Sequence, residues 1–171
     1  MAERTGVVFM KGNTLTLLGK ELKVGDLAPD FEVLDNELKT VKLSSLKGRV
    51  LVISSVQSLD TVVCHMETVR FNAEASKLGQ DVKIVTISMD LPFAQKRWAD
   101  ETASKNVLLL SDHKEANFGN NYGVLIKELR LLARTIFIVD RQGKISYIQY
   151  VKETSDEPDY DDVLEAIRKT V

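Results

Sequence analysis

Short β-branched apolar runs alternate along this chain with stretches whose apolar residues recur at helical spacing. Val50 to Val56 (VLVISSV) is apolar nearly throughout, the pattern of a strand covered on both faces. Val82 to Ser88 and Val107 to Leu110 read the same way. Arg134 to Val139 and Ile145 to Val151 flank Asp140-Arg141-Gln142-Gly143, a hairpin signal. Nearer the N-terminus, Val7 to Met10 and Thr14 to Leu18 flank Lys11-Gly12-Asn13, whose Gly-Asn suits the positive φ values of a tight turn. Phe31 to Leu34 and Thr40 to Leu43 flank an Asp35-Asn36 turn and predict a second hairpin. Val24 to Phe31, punctuated by Gly and Pro, predicts an ordered loop, Ser44 to Gly48 a connector, and Asn117 to Gly123 a loop or short helix.

Three segments predict helices. After Thr61, the residues Val63, Met66, Val69 or Phe71, Ala73 and Leu78 fall near the spacing of one buried stripe, which stops at Gly79. Pro92 suits the first turn of a helix running through Phe93, Ala94, Trp98 and Ala99. Pro158 opens a third, with Tyr160, Val163, Leu164, Ile167 and Val171 on one face. Strands alternating with helices, then a terminal hairpin and helix, predict an α/β fold: a mixed central sheet with helices on both faces. One domain over residues 1–171 is expected, with an N-terminal β-hairpin at about 5–19.

Composition narrows the function classes. At 171 residues and 44% hydrophobic content the chain can bury a core without disulfide or metal staples. A net charge of -2 offers no attraction to phosphate backbones or anionic lipid, so neither nucleic acid nor membrane is expected as a partner. The longest apolar runs are strand-sized, and Met1-Ala-Glu-Arg-Thr lacks the apolar stretch of a secretory signal, which predicts a cytoplasmic protein. The single cysteine cannot form an internal disulfide, in keeping with a reducing compartment.

That cysteine, Cys64, falls in the first turn of the helix that follows Val50 to Val56. A lone cysteine is most often a small buried hydrophobe. At a helix N-terminus, however, unpartnered N–H groups and the summed peptide dipoles favour an anion, and the thiolate is the nucleophilic form of cysteine. A thiol with the ordinary value of about 8.5 is only a few per cent ionised at neutral pH, and lowering it by roughly two units takes about 2.7 kcal/mol. A helix terminus typically supplies about 0.3–1 kcal/mol. A reactive Cys64 therefore needs a cation or further donors delivered by another part of the chain. Thr61 lies one turn earlier on the same face and is also an ordinary helix cap. His65 and His113 are expected at the surface, since adjacent helical residues point apart and His65 cannot easily serve Cys64 as a base. Trp98, Phe93 and Phe71 read as packing residues, and the acidic run Glu153 to Asp162 as a solvated loop and helix start.

An ordered set of motifs resembles the thiol peroxidase group of the peroxiredoxins over almost the whole chain. They are Lys11-Gly12-Asn13, Val24-Gly25-Asp26, Ala28-Pro29-Asp30-Phe31, Ser58-Leu59-Asp60-Thr61 before Cys64, Ser88-Met89-Asp90-Leu91-Pro92-Phe93-Ala94-Gln95-Lys96-Arg97, Leu110-Ser111-Asp112, Leu131-Leu132-Ala133-Arg134 and Glu157-Pro158-Asp159-Tyr160. The resemblance implies a thioredoxin-like fold with an added N-terminal hairpin, a homodimer, and reduction of hydroperoxides. It implies that Cys64 is the peroxidatic cysteine, Thr61 the threonine three residues before it, and Arg134 the active-site arginine. Those roles suit the chemistry: a thiolate attacking peroxide becomes a sulfenic acid, a hydroxyl can donate to sulfur or peroxide, and a guanidinium supplies the missing cation. No metal, flavin or nucleotide cofactor is implied.

The chain departs from the family pattern at several positions. Where the resemblance carries a resolving cysteine stands Ala99, so an external thiol, thioredoxin or a small thiol, is expected to regenerate Cys64. Gln57 and Val62 replace prolines that shield the cysteine, and His65 stands where a smaller or acidic residue is usual. A peroxide sensor, or a thioredoxin-like binding scaffold with impaired catalysis, is the alternative.

Overall fold

Val50 and Val52 join one apolar cluster while Leu51 and Ile53 join another, the period-two alternation of a strand buried on both sides. That strand lies inside the main sheet, paired on both edges. The computed structural model describes residues 1–171. Its strands are β1 (Glu3–Arg4), β2 (Phe9–Met10), β3 (Asn13–Thr14), β4 (Leu17–Leu18), β5 (Glu32–Leu34), β6 (Thr40–Lys42), β7 (Val50–Ser55), β8 (Val82–Ser88), β9 (Val107–Ser111), β10 (Leu125–Ile126), β11 (Leu131–Leu132), β12 (Thr135–Val139) and β13 (Ile145–Tyr150). Its helices are α1 (Val62–Ala75), α2 (Pro92–Thr102), α3 (Asn117–Asn121) and α4 (Tyr160–Thr170).

Seven strands form the main sheet in the order β13-β12-β7-β8-β9-β5-β6. Parallel pairing joins β7, β8 and β9, and antiparallel pairing joins the rest, so the sheet is mixed as the element pattern predicts. Residues of α1, α2 and α4 share the cluster that holds Val50 and Val52. The other face carries α3 and the small sheet β1-β4-β10-β11, through Leu17, Phe118, Tyr122 and Leu125.

Four details correct the sequence reading. The N-terminal turn places positive φ at Lys11 (49°) and Gly12 (78°), not at Gly12 and Asn13, because Met10 pairs directly with Asn13. A two-residue hairpin loop of type I′ has both central residues left-handed, here Lys11 and Gly12, and Asn13 is already in the ladder. The buried face of α1 is Cys64, Glu67, Thr68 and Phe71, whereas Val62, Met66 and Val69 are 74%, 45% and 39% exposed. Apolar periodicity failed there because a carboxylate, invisible to any hydrophobic count, occupies the inward position. Phe93 is 66% exposed rather than packed, and Val171 leaves the buried face of α4.

The N-terminal hairpin is fixed against the α3 region by close backbone approach. A Cβ on Gly19 would meet the Asn120 carbonyl oxygen at 2.3 Å, and one on Gly123 would meet that of Lys20 at 2.3 Å. Glu153 then accepts from the amides of Lys11 and Gly12, tying the hairpin tip to the loop after β13.

Asp112 closes the other end of that layer by accepting from the amides of Phe118 and Gly119 at 3.0 and 2.8 Å. Burial, outweighing these hydrogen bonds, pushes its carboxyl up to about 6. The unfolded carboxyl titrates lower, so this group favours the fold most below the unfolded value and loses that contribution as pH rises through about 6. Between pH 4 and 6.5 the wild type should lose roughly 2–3 kcal/mol of unfolding free energy relative to Asp112→Asn, measured by urea denaturation of both. A pH-independent difference would show that Asp112 is not titrating in this range.

Candidate active site

The site forms where β7 ends and α1 begins. Asp90, in the turn after β8, accepts from the Ser58 hydroxyl at 2.6 Å and the Leu59 amide at 2.8 Å, which sets the path of the loop into the helix. Thr61 is the N-cap residue, in extended conformation, yet its side chain caps nothing: the hydroxyl donates to the Ser58 carbonyl at 2.9 Å. The backbone N–H groups of Val62, Val63 and Cys64 consequently have no partner. They give the first turn its positive end, directed at whatever anion lies there.

Cys64 is a free cysteine with no exposed surface. Arg134, also buried, sends Nη1 to Cys64 Sγ at 3.4 Å and to Glu67 Oε2 at 2.6 Å. Its Nη2 donates to Gln57 Oε1 at 3.1 Å and to the Thr154 carbonyl at 2.9 Å. Two residues widely separated in sequence thus meet because β12 runs antiparallel beside β7, Thr135 opposite Ser55. The Ser55 hydroxyl, donating to the Ala133 carbonyl at 2.7 Å, pins the backbone just before Arg134.

Glu67 is the residue that sequence reasoning missed. Its carboxylate accepts from Ser54 Oγ at 2.7 Å as well as from Arg134, so the guanidinium is held by oxygen on one edge while another edge faces sulfur. Burial pushes the Glu67 carboxyl up, opposed by the charge of Arg134 and the hydrogen bond from Ser54. Burial also works against the charge of Arg134, but Glu67 and Cys64 outweigh it and hold the guanidinium above its ordinary value. The only available signal was spacing: Glu67 lies three residues after Cys64, on the same helical face.

Of the three residues singled out, the structure brings Cys64 and Arg134 into contact and leaves Thr61 one step away. Thr61 is exposed and makes no hydrogen bond to the sulfur, because its hydroxyl is taken by Ser58. It does line a cavity of about 320 Å³ together with Gln57, Val62, Val63, Leu131 and Arg134. Met10, Lys11 and Glu153 contribute the rim from the hairpin side. Cys64 itself does not line this cavity; Gln57 and Arg134 stand at the wall between.

His65 is turned away from Cys64 and accepts from Trp98 Nε1 at 3.0 Å through Nδ1, which joins α1 to α2. That lone pair is occupied, so His65 offers no base to the sulfur. His113 sits apart, bonded to Ser111 at 2.9 Å. No group of three or more His, Cys, Asp or Glu side chains is placed to hold a metal ion. No helix is long and apolar enough to cross a membrane.

The Redoxin family model matches residues 23–164, a span that includes both Cys64 and Arg134. The chain belongs to the redoxin family, among its thiol peroxidases. It is 55% identical over 162 residues to the thiol peroxidase of Oceanobacillus iheyensis, covering 95% of this chain and 98% of that one. The thiol peroxidase of Bacillus subtilis is 50% identical over 164 residues, covering 96% and 98%. Among solved structures, a peroxiredoxin-like protein from Aquifex aeolicus superposes with a TM-score of 0.91 at 40% identity, covering 98% of this chain and 99% of that one. The chain is accordingly a thiol-dependent peroxidase of the peroxiredoxin type, with a thioredoxin-like fold.

Proposed function

We propose that the chain reduces hydrogen peroxide and organic hydroperoxides through Cys64, with an external thiol as reductant. The observation that carries this is the 3.4 Å contact from the Arg134 guanidinium to the Cys64 sulfur. A buried cation touching sulfur supplies the stabilisation that the helix end alone cannot.

In the first step the Cys64 thiolate attacks the terminal oxygen of the hydroperoxide. An S–O bond forms, the O–O bond breaks, and the alkoxide or hydroxide leaves and takes up a proton. Arg134 and the free amides of the first turn are donors suited to the charge that builds on the departing oxygen. Sulfur is oxidised to sulfenic acid and the peroxide reduced to alcohol or water. Thr61, on the cavity wall, can accept a hydrogen bond from the incoming peroxide while its own proton stays donated to the Ser58 carbonyl. With Ala99 in the second position and no other cysteine, an incoming thiol must condense with the sulfenic acid, releasing water, and a second thiol must then reduce the mixed disulfide. Thioredoxin and small thiols both fit this requirement, and the one free cysteine suits a reducing cytoplasm.

A homodimer is part of the same proposal. Val62, Met66 and Val69, spaced four and three residues apart along α1, present an exposed apolar strip, and Phe93 on the neighbouring α2 adds another exposed ring. Peroxide consumption with dithiothreitol or thioredoxin tests the catalytic proposal. Turnover with at least one of them is expected, and rapid addition of one oxygen to Cys64 in mass spectra after stoichiometric peroxide. An inert, reduced Cys64 would overturn it in favour of a binding scaffold.

A further inference from the structure

Gln57 follows β7 where the family resemblance carries a proline, and its side chain is placed to act on Cys64 chemically. The residue is only 5% exposed. Its Oε1 accepts from Arg134 Nη2 at 3.1 Å and from the thiol of Cys64 at 3.5 Å, while its Nε2 is buried without any partner. Reversing the amide would set Nε2–H against a guanidinium N–H, donor facing donor, so Arg134 fixes which end of the amide meets the sulfur.

This orientation has a chemical direction. An amide oxygen welcomes S–H but offers nothing to S⁻, since both are then acceptors with no hydrogen between them. The same oxygen also engages a guanidinium donor that could otherwise turn toward the sulfur. We propose that Gln57 is a positioning residue that holds Cys64 in its protonated form and slows its reaction with peroxide, a brake built into the wall between sulfur and cavity. The proposal rests on Cys64 being the peroxide-reacting group. The charged groups next to the sulfur are Arg134, just before β12, and Glu67 on α1; farther out lie Glu157, which acts on Glu67, and Lys11 and Glu153 on the cavity rim. Replacing Gln57 adds or removes none of these charges; in Gln57→Leu it frees Arg134 Nη2, which acts on the sulfur in the same direction as loss of the acceptor.

Two variants separate the acceptor from the bulk of the side chain: Gln57→Leu removes the oxygen, and Gln57→Glu keeps it and adds charge. Single-turnover oxidation of Cys64 by hydrogen peroxide is followed from pH 5 to pH 9, alongside thiolate absorbance at 240 nm over the same range. Gln57→Leu is expected to raise the neutral-pH oxidation rate roughly threefold to tenfold, the value of one hydrogen bond. Both of its profiles should move to lower pH, and its rate should converge with the wild type where every sulfur is ionised. Gln57→Glu, nearly isosteric and still able to accept from Arg134, should slow oxidation and move both profiles to higher pH. Unshifted profiles in Gln57→Leu, or a shift of both variants in one direction, would overturn the proposal. Should wild-type Cys64 fail to react with peroxide at all, the peroxidase reading falls, while the absorbance profiles still decide what Gln57 does.

Discussion

Cys64→Ser should lose peroxide-dependent thiol oxidation by roughly three orders of magnitude or more, since removal of a nucleophile takes with it every effect assembled around that nucleophile. A serine hydroxyl in the same place has no base to activate it: His65 is turned to Trp98, and Glu67 is engaged by Arg134 and Ser54. Its oxygen can still accept from Arg134 and donate to Gln57 Oε1, so the network stays satisfied and the fold should change by no more than about 1 kcal/mol. Thioredoxin- or dithiothreitol-coupled peroxide consumption, with melting curves for both proteins, checks the pair of expectations. Full activity in the folded serine variant would remove Cys64 as the reacting group.

Arg134→Met is expected to damage stability and rate together, for separable reasons. It strands the Glu67 carboxylate at zero exposure, takes one of two donors from Gln57 Oε1 and leaves the Thr154 carbonyl without its guanidinium donor. Breaking a buried ion pair from one side costs about 3–5 kcal/mol, because the surviving charge keeps its desolvation penalty. Glu67 would escape part of that by taking a proton, which burial already favours. The rate of Cys64 oxidation should fall by roughly 10²–10³, the loss typical for one donor that stabilises developing charge. The double variant Arg134→Met with Glu67→Leu tells the two effects apart. Replacing both members of the pair by apolar side chains should restore most of the stability seen in denaturant titrations. It should not restore single-turnover oxidation. Recovery of both would mean that Arg134 serves the fold and not the reaction.

Most of the sheet was legible because its strands announce themselves in local composition. β7 and β8 are apolar along their length, and the Asp140-Arg141-Gln142-Gly143 turn marks β12 and β13 as partners before any coordinates exist. The inward face of α1 was not legible. Periodicity favoured Val63, Met66 and Val69 or Phe71; the structure buries Phe71, and with it Cys64, Glu67 and Thr68 in place of the others. Glu67 faces inward since a guanidinium waits there, and no window of residues around position 67 contains that guanidinium.

By itself the sequence determined the order of elements, the strand-to-helix junction that carries Cys64, and the family motifs through Arg134. These are local properties, set by backbone preferences and burial patterns within a few residues of each position. Tertiary structure alone decided that Arg134 reaches the sulfur at 3.4 Å, that Glu67 anchors it, that Thr61 is turned aside, and that Gln57 meets the thiol with an oxygen. The Arg134 contacts join positions far apart in the chain, and electrostatic pairing of that kind leaves no periodic trace in either partner's own neighbourhood; the Thr61 and Gln57 contacts are short in sequence but depend on how the loop between β7 and α1 bends.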